Sequence, residues 1–126
     1  MRKRACAAIL AVTCGVALGA ILAACAPQPA SNDPGRQVYD RTGCATCHES
    51  GLGNLFHPVG PPLDHIGTVA GTRRPGLSAQ DYIRQSIVDP GVYVVPGYPD
   101  SMPRGLGERL SKEEVDDLVG YLASLR

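Results

Sequence analysis

The clearest hydrophobic pattern lies at the C-terminal end. Val115, Leu118, Val119, Leu122 and Leu125 recur at helical spacing, while Glu113, Asp116 and Asp117 fall on the other side, which predicts an amphipathic helix over Lys112–Leu125. Ser111 is its N-cap and Glu114 completes a capping box; the acids cluster where the helix dipole favours negative charge and read as a solvated face. A second helix is predicted over Ala79–Val88. Ser78 caps it with Asp81 three residues on, Tyr82, Ile83 and Ile87 form a narrow apolar face, and Asp89-Pro90 ends it. A third covers Pro34–Thr42, with Asp33 as N-cap, Pro34 at the first helical position and Gly43 as terminator. The chain between these helices reads as loop: Gly51–Gly60 carries three Gly, and Pro90–Gly107 carries four Pro and four Gly. No strand pattern and no internal repeat stands out, so the fold class is all-α.

The N-terminal pattern differs. Arg2, Lys3 and Arg4 precede an uncharged, mostly apolar run of 18 residues, Ala5–Leu22. A basic start, an apolar stretch and small residues after it form a secretory signal. Leu22-Ala23-Ala24-Cys25 resembles the lipobox of bacterial lipoproteins, in which the Cys is lipidated and becomes the first mature residue. The rival, a retained membrane helix, sits at the lower length limit for a span and leaves the placing of Cys25 unexplained. Either way the remaining chain lies outside the cytoplasm, tied to the cell membrane, and several acyl chains on one Cys suffice for stable anchoring. The expected organisation is a lipoprotein signal peptide over 1–24, a lipidated Cys25 with a flexible tether over 25–33, and a folded domain over 34–126. The tether segment Ala26–Pro34 has no apolar period and spans at most about 30 Å, which holds the domain near the membrane.

Composition then raises a question. The chain has 126 residues, enough for one small domain, with one Phe, no Trp, 15 Gly and 11 Pro. Few large side chains are available for a core, and domains of this size are marginal without help. Twelve basic residues balance twelve acidic ones, and loss of Arg2, Lys3 and Arg4 leaves the mature chain at about −3, the wrong balance for binding nucleic acid. A deep organic-substrate pocket of a multi-domain enzyme is excluded by size.

Of five Cys, Cys6, Cys14 and Cys25 belong to the leader and lipobox. Cys44 and Cys47 belong to the domain, in Cys44-Ala45-Thr46-Cys47-His48. C-x-x-C-H is the attachment signature of haem c: two thiols at this spacing reach the two vinyl groups on one porphyrin edge, and the following imidazole meets the iron from one face. A structural zinc site needs further ligands, and neither a second Cys pair nor suitable spacing at His57 and His65 supplies them. A redox disulfide would sit in a βαβ pattern and would not explain His48. One covalent haem also answers the question of the core, since a flat apolar cofactor replaces the missing side chains.

His48 is one iron ligand. For the other, Met1 goes with the leader, leaving Met102, His57 and His65. Met102 sits in the loop Val95-Pro96-Gly97-Tyr98-Pro99-Asp100-Ser101-Met102-Pro103, where flanking Pro residues lower the entropy of presenting a thioether. His57 follows His48 too closely without a turn round the haem edge, and His65 follows a segment expected on the His48 side. The expected pair is His48/Met102, the pairing of c-type electron carriers, which raises the reduction potential.

These residues resemble a class I cytochrome c over almost all of the mature chain. Gly35-Arg36-Gln37-Val38-Tyr39 before Gly43-Cys44 looks like that family's N-terminal helix, whose Gly and aromatic pack on the C-terminal helix, here through Tyr121 and Leu118 or Leu122. Gly60-Pro61-Pro62-Leu63 is similar to the loop after the haem motif. The resemblance implies that the Pro61 carbonyl accepts from the His48 ring, that Leu63 packs on the haem, and that Met102 is the axial Met. Ser50–Val59, with Asn54, Phe56 and His57, departs from the pattern. Arg73, Arg74, Tyr93 and Tyr98 are candidates for bonding the haem propionates. The wording from Ile87 to Pro99 is similar to the cytochrome domains fused to haem–copper oxidase subunits, and to the small mono-haem lipoprotein subunit of alternative complex III, a bacterial quinol-oxidising complex. The resemblance implies a membrane-anchored electron-transfer protein rather than an enzyme, with redox proteins or other complex subunits as partners. An independent lipid-tethered shuttle, a haem enzyme or gas sensor lacking Met102 on the iron, and a structural subunit are the alternatives.

Overall fold

Helix starts follow their caps. In a computed structural model, which describes residues 31–49 and 59–126, Ser111 Oγ accepts from the Glu114 amide at 3.1 Å while the Glu114 carboxylate accepts from the Ser111 amide at 2.8 Å. This capping box opens the last helix. Ser78 Oγ likewise accepts from the Asp81 amide at 3.1 Å, but here the reciprocal contact runs between the side chains, the hydroxyl donating to Asp81 at 2.6 Å. Asp33 accepts from the Arg36 amide at 2.9 Å, with Pro34 at the first helical position.

The elements are α1 (Pro34–Arg41), α2 (Ala45–His48), α3 (Ile66–Arg73), α4 (Ala79–Val88), a 3-10 turn (Pro90–Val92), α5 (Leu106–Arg109) and α6 (Lys112–Ser124). Among the described residues every regular element is helical, in line with the all-α expectation. The expected leader, Cys25 and most of the tether, like Ser50–Pro58 with His57, lie outside the described residues. Among those described, no helix is long and apolar enough to cross a membrane.

α1, α4 and α6 stand where the sequence places them, within a residue at their ends; Leu125 is the C-cap of α6 rather than its last residue. α2, α3 and α5 correct the expectation of continuous loop. α3 (IGTVAGTR) has two Gly, four β-branched residues and no apolar stripe, so local propensity argues against a helix. Tertiary contact overrides it. The Gly67 amide donates to Leu125 O at 3.0 Å, Arg126 donates to Gly67 O at 3.0 Å, and Ala70 is completely buried. α2 follows Gly43, which adopts a left-handed φ of 74°, and α5 follows Gly105 at φ 75°; each is a single turn, too short to leave a periodic signal.

α6 is the member on which the others lean. α1 crosses it at Gly35, where a Cβ would meet Asp117 O at 2.2 Å, and α3 reaches it at Gly67, where a Cβ would meet Ala123 O at 2.2 Å. Beside the first crossing the Tyr39 and Tyr121 rings meet edge to face at 5.7 Å, and Arg36 donates to the Tyr121 hydroxyl at 3.0 Å and to Asp40 at 2.9 Å. Arg41 pairs with Glu114, and Asp116 takes both Lys112 and Arg84 at 2.7 Å. Val38, Val115 and Val119 fill the α1–α6 seam, while α4 brings Tyr82, Ile83 and Ile87 to Leu118 and Leu122.

Two outcomes follow. Gly35→Ala is expected to destabilise the holoprotein by about 1–3 kcal/mol through overpacking against backbone, whereas Gly120→Ala, exposed on the same seam-forming helix with nothing near its Cβ, is expected to stabilise by about 0.5–1 kcal/mol; urea midpoints of the two variants against the parent decide this. The Glu114 carboxyl is held below its ordinary range, first by the Ser111 amide and further by Arg41. A depressed carboxyl lends stability that is fully present above its unfolded pKa and is lost as pH falls through the folded one. The difference in melting temperature between the parent and Glu114→Gln is therefore expected to be largest near neutrality and to shrink in acid.

Candidate functional site

The chain turns sharply at Gly43 and enters α2 with Cys44 as N-cap. One helical turn then carries Cys44 and Cys47 three residues apart on a common side, with His48 next. All three line one cavity, open to solvent on one side. Its walls are largely apolar and reuse the core: Ile66, Tyr82, Ile83, Ile87, Leu118 and Leu122 are buried and also line it. Leu63 and Leu106, half-buried, add to the same surface.

The His48 ring is fixed. Nδ1 lies 2.8 Å from Pro61 O. A carbonyl can only accept, so Nδ1 carries the proton and Nε2 keeps its lone pair for a metal. Such a bond to a metal-binding imidazole sets its tautomer and orientation. Gly60 makes the approach possible: a Cβ there would stand 2.8 Å from Cε1 and 2.9 Å from Nδ1 of His48. The importance of Gly60 was invisible to spacing arguments; a Gly directly before Pro-Pro, beyond a haem motif, is the only signal it leaves.

Cys44 Sγ lies 3.2 Å from Thr42 Oγ1, which itself donates to Val38 O at 2.7 Å. Burial pushes the Cys44 thiol up, partly opposed by the Thr42 hydroxyl. The Tyr39 phenol is pushed up to about 12, mainly by burial and then by the nearby Glu49, so it remains neutral. Cys44 and Cys47 are not joined by a disulfide, and among the described residues no three His, Cys, Asp or Glu side chains gather as metal ligands.

Met102 is half-buried and lines the same cavity, as do Pro61 and the loop residues Tyr98, Pro99 and Pro103. Ser101 ties that loop to Val59 O at 3.4 Å, one residue before Gly60. His65 stands exposed at the head of α3 and is not part of the lining. Of the four propionate candidates, Tyr93 and Tyr98 line the cavity, and Arg73 and Arg74 do not. Arg74 instead bonds to Gln85 and lies over the Tyr93 ring at 5.7 Å; Tyr93 in turn meets Tyr82 edge to face at 6.0 Å. Arg109 lines the cavity and was not singled out by sequence, since a helix-end Arg next to a Gly-rich loop reads as solvated.

The donor set fits a haem: an imidazole whose Nδ1 is tied to a carbonyl, a thioether, two thiols three residues apart on one helical turn, and apolar walls for a flat ring. It offers no ligand cluster for a bare metal ion. Neither curated proteins nor solved structures gave a match to the chain. The family model for cytochrome c, however, matches residues 33–126, the whole of the helical domain from the cap of α1 onward, and the chain belongs to the cytochrome c family, whose members carry covalent haem c.

Proposed function

We infer that this cytochrome c is a mono-haem carrier of the class I type, with Cys44 and Cys47 in thioether linkage and His48 and Met102 as the axial ligands. The observation that carries the reading is that His48, with its Nε2 left open by the Pro61 bond, and Met102 line one apolar cavity together with both cysteines. Bound haem supplies a ferric/ferrous one-electron couple. The chain's residues do the rest: Pro61 holds the imidazole, Leu63 and the core aliphatics exclude water, and Met102 takes the second axial place. With both places filled by side chains no position is left for a substrate, which favours electron transfer over oxygen or peroxide chemistry.

The lipobox at Leu22–Cys25 supports lipid anchoring at Cys25 on the extracytoplasmic side of the cell membrane. A short tether raises the local concentration of a membrane-resident partner, and a mature charge near −3 suits that better than long-range steering. The stretch from Ile87 to Pro99 supports membership of a quinol-oxidising complex of the alternative complex III type, within a respiratory or photosynthetic chain. That stretch ends α4, forms the 3-10 turn and supplies Tyr93, Val94, Val95, Tyr98 and Pro99 to the cavity wall.

In the ferric protein a red charge-transfer band marks the thioether–iron bond. Met102→Ala is expected to abolish it, to lower the reduction potential by on the order of 100 mV, within the roughly 0.8 V range that axial ligands govern, and to admit carbon monoxide to the ferrous form. A band that persists in Met102→Ala removes Met102 from the iron. Mass spectrometry of the mature chain is expected to show cleavage before Cys25, added acyl mass and covalent haem. Purification in mild detergent is expected to bring large membrane subunits with the chain; recovery of the chain alone indicates an independent shuttle.

A further inference from the structure

Met102 stands in a stretch without regular structure, so its position depends on side chains. Asp100 and Arg104, two residues to either side, close that stretch on itself: Arg104 Nη2 donates to Asp100 Oδ2 at 2.7 Å. The same guanidinium lies against the 3-10 turn. A Cβ on Gly91 would fall 1.7 Å from Arg104 Nη1 and 2.5 Å from its Cζ. Arg109 Nη1 donates to Arg104 O at 3.4 Å, and Gly105 at φ 75° turns the chain into α5.

We propose that Arg104 is a positioning residue for Met102, its guanidinium closing the Asp100–Arg104 loop and fastening it to the bare backbone at Gly91. The inference rests on the reading of Met102 as the axial ligand. The ion pair by itself is weak: both side chains are about half exposed, 57% and 49%, and such a pair biases a loop no more than about fivefold. The seat on Gly91 adds a packing contact, the guanidinium occupying the space a side chain there would fill, and contacts of this kind are not screened by salt. Gly91 does not hold a left-handed φ, so an Ala there is not strained. It displaces only the far end of a flexible side chain and leaves both charges in the molecule.

The test is displacement of the Met ligand by added imidazole in the full-length ferric holoprotein in detergent, followed by loss of the red band. Arg104→Gln and Gly91→Ala are each expected to raise the apparent imidazole affinity about two- to fivefold. The double variant should match Arg104→Gln, because that substitution already removes the contact at Gly91 together with the ion pair. Lys112→Gln, which breaks an exposed pair on α6, should change nothing. Unchanged affinity in Gly91→Ala, additive effects in the double variant, or an equal shift in Lys112→Gln would overturn the proposal. If Arg104→Gln does not fold, Gly91→Ala decides alone. A red band that survives Met102→Ala sinks the ligand assignment and this proposal with it, whereas a band lost there but indifferent to Gly91→Ala sinks this proposal only.

Discussion

Two glycines pressed against one helix locate the whole site. Gly35 and Gly67 each bring backbone so close to α6 that no side chain fits between. α1 leads through Thr42 into Gly43 and the Cys44–His48 turn, and Pro61, Pro62 and Leu63 lead through Asp64 and His65 into α3. Both halves of the His48–Pro61 contact therefore hang from elements seated on α6. A hydrogen bond of 2.8 Å tolerates little drift in either partner. Close backbone packing, which interiors hold at crystal-like density, is the device that keeps two segments 13 residues apart in that register.

The same arrangement explains how a chain so poor in large side chains sustains a fold. No large side chain among the described residues is wholly enclosed; Ile66, Ile83, Ile87, Leu118 and Leu122 belong to the core and line the cavity as well. Haem c completes that core. A domain whose apolar interior is shared with a cofactor gains folding stability from the contacts that the cofactor makes only in the folded state. Polar groups are kept to the perimeter. Two of the four acids of α6 are paired, Glu114 with Arg41 of α1 and Asp116 with Lys112 and with Arg84 of α4, so part of this acidic surface also clasps α1 and α4.

The parts legible in the sequence are those written in local chemistry. Ser111 with Glu114, Ser78 with Asp81, and Asp33-Pro34 announce helix starts through short-range hydrogen bonds, and five aliphatics at helical spacing announce α6. Cys44, Cys47 and His48 are legible because attachment chemistry demands a fixed spacing. α3 was not legible. Its Gly67 and Gly71 read as breakers, and Gly67 is there because a partner helix presses on it, a fact that belongs to residues 123 and 125 rather than to its own neighbourhood. The close contacts at Gly60 and Gly91 are not legible for the same reason: each is defined by the side chain that lies across it, His48 and Arg104, and neither contact is local.

The two sides of the site differ in how they are held, and the difference has a mechanical sense. On the His48 side the ring is bonded to a carbonyl, backed by a glycine and carried on a helical turn that follows α1 across Gly43. On the Met102 side the loop is bound by an exposed ion pair, a seat on Gly91 and a long bond from Ser101 to Val59. The first set is part of the close-packed frame; the second consists mainly of exposed contacts on a stretch without regular structure, of the kind that opens locally at low cost. An electron carrier needs a site that changes little between two charge states, and the burden of keeping it so falls on the weaker side, where a single arginine spans the loop that carries the sulfur.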